Sequence, residues 1–315
     1  MGLATSAEED VYSTDSWDNI QTPAFVYDED VIGRLLDYAD RLRANGRCQV
    51  LFSLKPFSFF DVLQSMAPRL DGFAVSSLFE ARLARQILGD RGALHFTTPG
   101  IRADDAAEIG SLCNYVSFNS LQQAEMYAGS LSEGTSAGIR VNPQFPFVED
   151  DKYNPCRLHS KLGIPLEDLV TIAAHDPTSL SWVQGIHLHS NCESNDFDQL
   201  RDTVLHLHSQ IGDLLHNVKW INLGGGYNLE GSENFDALHG AIDFLRSQYG
   251  LQVFLEPGAA FIQSAGYIVS TVLDMFQSEG KAIAVLDTTV NHMPEVFEYS
   301  YEPDVIGHQD EAAYE

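Results

Sequence analysis

The chain has 315 residues, 44% of them hydrophobic, with 45 Asp and Glu against 18 Lys and Arg, a formal net charge of −27. That composition supports one large packed domain with room for a smaller companion and excludes a disordered chain. The charge excludes a nucleic-acid binder, which needs Lys and Arg to replace counterions on phosphates, and it repels anionic lipid while drawing in cationic small molecules.

In chain order, Thr22–Tyr27 reads as a strand and Asp30–Asn45 as an amphipathic helix. Eight short apolar runs then read as buried strands: Val50–Leu54, Gly72–Val75, Leu94–Thr97, Tyr115–Phe118, Gly138–Asn142, Val183–His187, Trp220–Leu223 and Gln252–Glu256. Helical patterns lie between them, including Leu78–Leu88, Ala103–Leu112, Leu121–Gly129, Pro165–Ala174, Asp196–Leu215 and Phe235–Tyr249. Strand then helix eight times, in about 210 residues, predicts an α/β fold closed into a (β/α)₈ TIM barrel, in preference to an open doubly wound sheet. The barrel is expected over residues 29–260. Beyond it, Tyr267–Met275, Ala282–Asp287 and Val296–Tyr299 read as strands, with a short turn at Ser278–Gly280. Together with residues 1–28 they predict a second, antiparallel β domain over 261–315, to which the first strand returns.

The four cysteines, Cys48, Cys113, Cys156 and Cys192, lie far apart without a CxxC pair. That spacing fits neither a zinc site nor a disulfide framework, so reduced thiols in a cytoplasmic protein are expected. The first ten residues lack the basic and apolar stretches of a secretory signal. No apolar run approaches the roughly 18–20 residues of a membrane span.

In a barrel, function collects at the C-terminal ends of the strands. Lys55, after the first strand, is the only charged residue from Val50 to Phe60. A desolvated lysine there could form a Schiff base with a carbonyl; the alternative is a lysine reaching from the strand end to water. His187 and His189, two apart on the sixth strand, face the same side. They read as a metal pair, as a flat imidazole for stacking on a planar ring, or as two structural histidines. Gly224, Gly225 and Gly226 end the seventh strand, where backbone N–H groups can converge on a phosphate. Glu256 ends the eighth, a buried-looking carboxylate suited to a protonated ring nitrogen. An imine-forming lysine, a phosphate cradle, a stacking imidazole and this carboxylate together are what pyridoxal 5′-phosphate (PLP) requires.

Several segments carry a family likeness: Thr22–Tyr27, Ser53–Ser58, Asp71–Glu80, Asp151–Gly163, His187–Glu193, Asn222–Tyr227, Glu256–Gly258 and Leu286–Glu295. The chain resembles the alanine racemase-like (fold type III) PLP-dependent decarboxylases, and within them the branch acting on carboxynorspermidine and carboxyspermidine. The resemblance implies that Lys55 forms the Schiff base and that His189 stacks on the pyridine ring. It implies that Gly224, Gly225, Gly226 and Gly258 bind phosphate, that Glu256 pairs with the ring nitrogen, and that Arg140 is an active-site arginine. Arg157, Ser160, Lys161, Glu193, Asp287 and Glu295 are the substrate-contacting residues it suggests, and the segments around Asp151–Lys161 and His292–Glu298 are expected to face the substrate. It further implies a homodimer engaged in polyamine biosynthesis, with no metal. Family members carry a Cys-x-x-x-Asp motif and closing strands after a segment like Ala312–Glu315, so the second domain is expected to be C-terminally truncated. Decarboxylation of an aminocarboxypropyl group in secondary metabolism, and a catalytically silent homologue, are the competing functions; a zinc hydrolase built on His187 and His189 is a further one.

Overall fold

The computed structural model describes residues 20–43, 46–145, 153–195, 197–230, 234–300 and 303–306. These form two compact units, one from Glu29 to Ala265, the other joining the residues before Glu29 to those after Ala265. The chain enters through β1 (Ala24–Tyr27) and α1 (Glu29–Arg43). Glu29 and Asp30 in the first turn of α1, with Arg41 and Arg43 in the last, complement its dipole, while Ile32, Leu35, Leu36, Ala39 and Leu42 form one buried stripe.

Eight parallel strands then close a barrel. In chain order the elements are β2 (Gln49–Ser53), α2 (Phe60–Met66), β3 (Gly72–Val75), α3 (Leu78–Leu88), β4 (Ala93–Thr97), α4 (Ala106–Leu112), β5 (Tyr115–Phe118) and α5 (Leu121–Tyr127). They continue with β6 (Ser136–Asn142), β7 (Ile164–Pro165), α6 (Leu166–His175), β8 (Gly185–His187), α7 (Asp198–Leu215), β9 (Trp220–Asn222), α8 (Asp236–Tyr249) and β10 (Gln252–Leu255). The ring runs β5-β4-β3-β2-β10-β9-β8-β6 and closes where β6 pairs with β5, with the two-residue β7 attached to β6. Two connections go beyond the sequence reading. The seven-residue α2 follows an apolar run too short to show a helical period, and β10 leads into a single turn at Ala259–Phe261 in place of an eighth full helix.

Two helices begin with the same device. Ser77 Oγ accepts the Glu80 N–H at 3.2 Å while Glu80 accepts the Ser76 N–H; Ser120 Oγ accepts the Gln123 N–H at 3.1 Å while Gln123 accepts the Asn119 N–H. These reciprocal caps pin the chain just above β3 and β5, at the barrel's functional end.

Alternate residues point inward, so each strand stacks its contributions in layers. The lower layer is aromatic: Trp220, Phe254, Tyr115 and His95, whose ring stacks on Tyr115 at 4.2 Å. Gly185 makes room for it, since a Cβ there would lie 2.0 Å from the Trp220 ring. One step up the same strands the layer is polar, and there the site begins.

In the second unit, β1 pairs antiparallel with β11 (Gly266–Val269), Ala24 opposite Val269, as the first strand's expected return requires. β12 (Val272–Ser278) and β13 (Lys281–Leu286) form a hairpin turned by Glu279 and Gly280, both at positive φ, which suits the right-handed strand twist. Two sequence expectations are corrected. The single strand Tyr267–Met275 is broken at Ser270–Thr271, where Asp287 accepts from the Ser270 hydroxyl and the Thr271 N–H, so its halves join different sheets. Val296–Tyr299 is not a strand but part of α9 (Glu295–Tyr299): Pro294 supplies a helix-ready φ and Glu295 and Glu298 are acidic residues in its first turn. Among the described residues no helix is long and apolar enough to cross a membrane.

Candidate active site

Strand register brings the polar layer together. Arg140 on β6 lies beside His187 on β8, which lies beside Asn222 on β9; Glu256 follows β10 directly. All four are buried. His187 Nε2 is 2.8 Å from one Glu256 oxygen, and Asn222 Nδ2 donates to the other at 2.9 Å. His189, two residues above His187, accepts the Gly225 N–H on Nδ1 at 3.2 Å, which fixes its ring.

Electrostatics follow from burial and these partners. Desolvation would raise the Glu256 carboxyl, but His187 foremost, with His95 and His189 behind it, outweighs that penalty and holds it at about 2. Burial pushes His189 down to about 3, helped by the positive charges of Arg140 and Lys55. Burial also lowers His187, against the pull of Glu256. Near neutral pH the site therefore holds an ionised Glu256 carboxylate and an uncharged His189. The zinc reading of His187 and His189 lacks ligands: among the described residues no three His, Cys, Asp or Glu side chains cluster as a metal site.

Lys55 sits two residues beyond β2, in a turn closed by the Phe57 N–H on the Leu54 carbonyl at 3.0 Å. It is exposed, the second of the two readings its sequence allowed, because the strand ends at Ser53 and the side chain follows from the turn beyond it. The Arg140 guanidinium is buried yet donates no hydrogen bond among the described residues, leaving a cation at the same mouth.

The glycine turn is more differentiated than its sequence. The Gly224 N–H donates to Asn222 Oδ1 at 2.9 Å and the Gly225 N–H to His189, so both are satisfied from within. Gly226, half-buried at φ +88°, donates to no described residue, and a Cβ there would meet the Asn191 carbonyl at 2.2 Å. At Gly258 a Cβ would meet Pro56 at 2.9 Å. Gly224 and Gly225 thus have their N–H groups engaged within the turn, and that of Gly226 has no acceptor among the described residues.

The predicted substrate residues separate. Glu193 is held at φ +54° beside the mouth, its carbonyl accepting from Asn228 Nδ2 at 3.3 Å. Arg157 and Lys161 are exposed, and Ser160 Oγ donates to the Pro155 carbonyl at 2.7 Å. Ser160 and Lys161 line an open groove of about 490 Å³ with Asn119, Ile164 and Asp168, to which Lys55 and Glu256 do not contribute. Asn119, which sequence reasoning missed, clamps this segment, donating to the Lys161 carbonyl at 2.9 Å and accepting the Gly163 N–H at 2.8 Å. Asp287 and Glu295 belong to the second unit, where Asp287 is engaged by Ser270 and Thr271. Asp151 and Lys152 lie outside the described residues.

A reachable amine, an ordered neutral imidazole, an ionised carboxylate and a glycine cradle that a Cβ would fill are a donor set that fits PLP. The chain belongs to the pyridoxal-dependent decarboxylases, whose pyridoxal-binding domain matches residues 29–263. It is a PLP-dependent carboxy-lyase. Among its relatives is carboxynorspermidine/carboxyspermidine decarboxylase of Campylobacter jejuni, 30% identical over 92% of this chain and 74% of the relative. Carboxyaminopropylagmatine decarboxylase of Synechocystis is 33% identical over 92% of this chain and 73% of its own length. The crystal structure of carboxynorspermidine decarboxylase with norspermidine from C. jejuni superposes with a TM-score of 0.76 at 29% identity, covering 90% of this chain and 72% of that one.

Proposed function

We propose that this enzyme removes the carboxylate from an aminocarboxypropyl group of a polyamine, with carboxynorspermidine and carboxyspermidine as its substrates, and that Lys55 carries the cofactor. The observation that carries the reading is the convergence of Lys55, Arg140, His189 and Glu256, each following or lying on a different strand, at one barrel mouth. PLP, when bound, supplies a pyridine ring that accepts the electron pair left as CO₂ departs.

The chain's own residues set the conditions for that chemistry. Glu256, kept ionised, would hold a proton on the ring nitrogen. His189, fixed by Gly225 and uncharged, would present its face to the ring. Gly226 and Gly258 would bind the phosphate. Arg140 adds a buried positive charge to the mouth, while Glu193 offers a carboxylate to an amine of the substrate. The net charge of −27 favours the approach of a polycation.

The 33% identity to a carboxyaminopropylagmatine decarboxylase supports a second reading, in which the distal group of the substrate is a guanidinium. One experiment separates them. PLP-loaded protein is given carboxynorspermidine, carboxyspermidine, carboxyaminopropylagmatine and diaminopimelate, and CO₂ release is followed. We expect the highest kcat/KM on a carboxylated polyamine and none with Lys55→Ala. Highest activity on the agmatine derivative selects the second reading, and release from diaminopimelate alone sinks both. We also propose a cytoplasmic homodimer, which light scattering at micromolar concentration tests: a monomer mass removes it.

A further inference from the structure

Three buried polar residues lie around Glu256: Asn222 and His187 in the floor of the site, and His95 in the aromatic layer beneath it. Their hydrogen bonds have a defined direction. Asn222 Oδ1 accepts the Gly224 N–H at 2.9 Å, so its amide orientation is fixed, and Nδ2 faces Glu256 at 2.9 Å and His95 Nδ1 at 3.2 Å. An ionised carboxylate only accepts, so His187 must present Nε2–H to the other Glu256 oxygen at 2.8 Å. His187 Nδ1 has no hydrogen-bond partner among the described residues. Both oxygens of Glu256 are thus held by donors from β8 and β9, and one of those donors also ties down the turn at Gly224. Asn222 and His187 are 0% and 1% exposed, too deep to touch a substrate.

We propose that Asn222 and His187 are positioning residues that hold Glu256 as a carboxylate aimed at the pyridine nitrogen of PLP, and that Asn222 links this carboxylate to the phosphate-side glycine turn. The inference rests on the proposed placement of the PLP ring nitrogen at Glu256. It explains why an amide stands at position 222: Asp could accept from Gly224 but would set a second negative charge against Glu256, and Leu would do neither.

The test compares binding of PLP with binding of 1-deazapyridoxal phosphate, in which CH replaces the ring nitrogen. Dissociation constants come from the visible absorbance of each bound aldehyde. Wild type should prefer PLP by about tenfold or more relative to the preference of Glu256→Gln. His187→Leu and Asn222→Asp should lose most of that preference, whereas His187→Gln, which keeps an N–H donor, should retain it. Asn222→Leu should in addition weaken both ligands equally, through the turn. A merely structural role would weaken both ligands alike in every variant and leave the ratio unchanged, which overturns the inference. If His187→Leu does not fold, Asn222→Asp and His187→Gln decide the matter alone. A wild type that forms no visible band with PLP contradicts the PLP reading itself; one that forms the band but lacks the preference overturns only this inference.

Discussion

The floor and the rim of the site are built on different principles. The floor consists of residues at or just beyond the ends of β8, β9 and β10, buried and mutually hydrogen-bonded, with positions set by strand register. The rim, from Asn154 to Gly163, is loop, with exposed Arg157 and Lys161 and a course fixed chiefly by local hydrogen bonds and the Asn119 clamp. A rigid floor suits a cofactor whose reacting atoms must not move, and an adjustable rim suits the choice among related polyamines. The comparison predicts that floor variants alter cofactor binding and turnover together, while rim variants alter KM alone.

The largest effect is expected at Gly226→Ala. Its Cβ would meet the Asn191 carbonyl, and φ +88° is strained for alanine, so the turn must shift. We expect a loss of about 2–4 kcal/mol, divided between stability and PLP affinity, seen as a lower Tm and a weaker dissociation constant. Wild-type affinity in this variant would break the assignment of the turn to phosphate.

The next effect concerns pH. Burial holds His95 neutral, down to about 3, whereas in the unfolded chain it titrates near its ordinary 6.5. The unfolded state therefore binds the extra proton, and the stability due to neutral His95 is present above pH 6.5 and is lost as pH falls towards 3. Replacing it with Phe, which preserves the stack on Tyr115, should flatten the fall in unfolding free energy across that window by up to about 1.4 kcal/mol per pH unit. Denaturant titrations at pH 4, 5, 6 and 7 give the slope; an unchanged slope means that His95 is charged in the fold.

The smallest effect should come from the rim. Asn119→Ala removes two hydrogen bonds to the loop, about 1–2 kcal/mol, and should raise KM several-fold with kcat and the PLP spectrum unchanged. A fall in kcat of the same size would erase the distinction between floor and rim.

Legibility in the sequence follows the same division. The barrel strands could be read because each is a short apolar run bounded by helices, and the strand-end residues Lys55, His189, Gly224–Gly226 and Glu256 could be read because barrel chemistry collects there. The links among them could not: His187 and Glu256 are 69 residues apart, and Asn222 and Glu256 are 34 apart, so only closure of the ring brings them together. Asn222 lies within the predicted strand Trp220–Leu223, on the same side as Trp220, but nothing in the sequence says that this side faces into the barrel. The apolar neighbours of Lys55 fit either a desolvated amine or one reaching to water, and only the turn that carries it selects the second. α9 was read as a strand because Val296 and Phe297 fit one, and Pro294 outweighed them.

The central claim is that PLP is held on Lys55. The chain has five lysines, Lys55, Lys152, Lys161, Lys219 and Lys281, so the attachment point can be found without ambiguity. PLP-loaded protein is reduced with borohydride, which makes a lysine–pyridoxyl linkage permanent, then digested and sequenced by mass spectrometry. The account predicts a phosphopyridoxyl group on the peptide containing Lys55 and on no other. Modification of another lysine in place of Lys55, or of none, contradicts it.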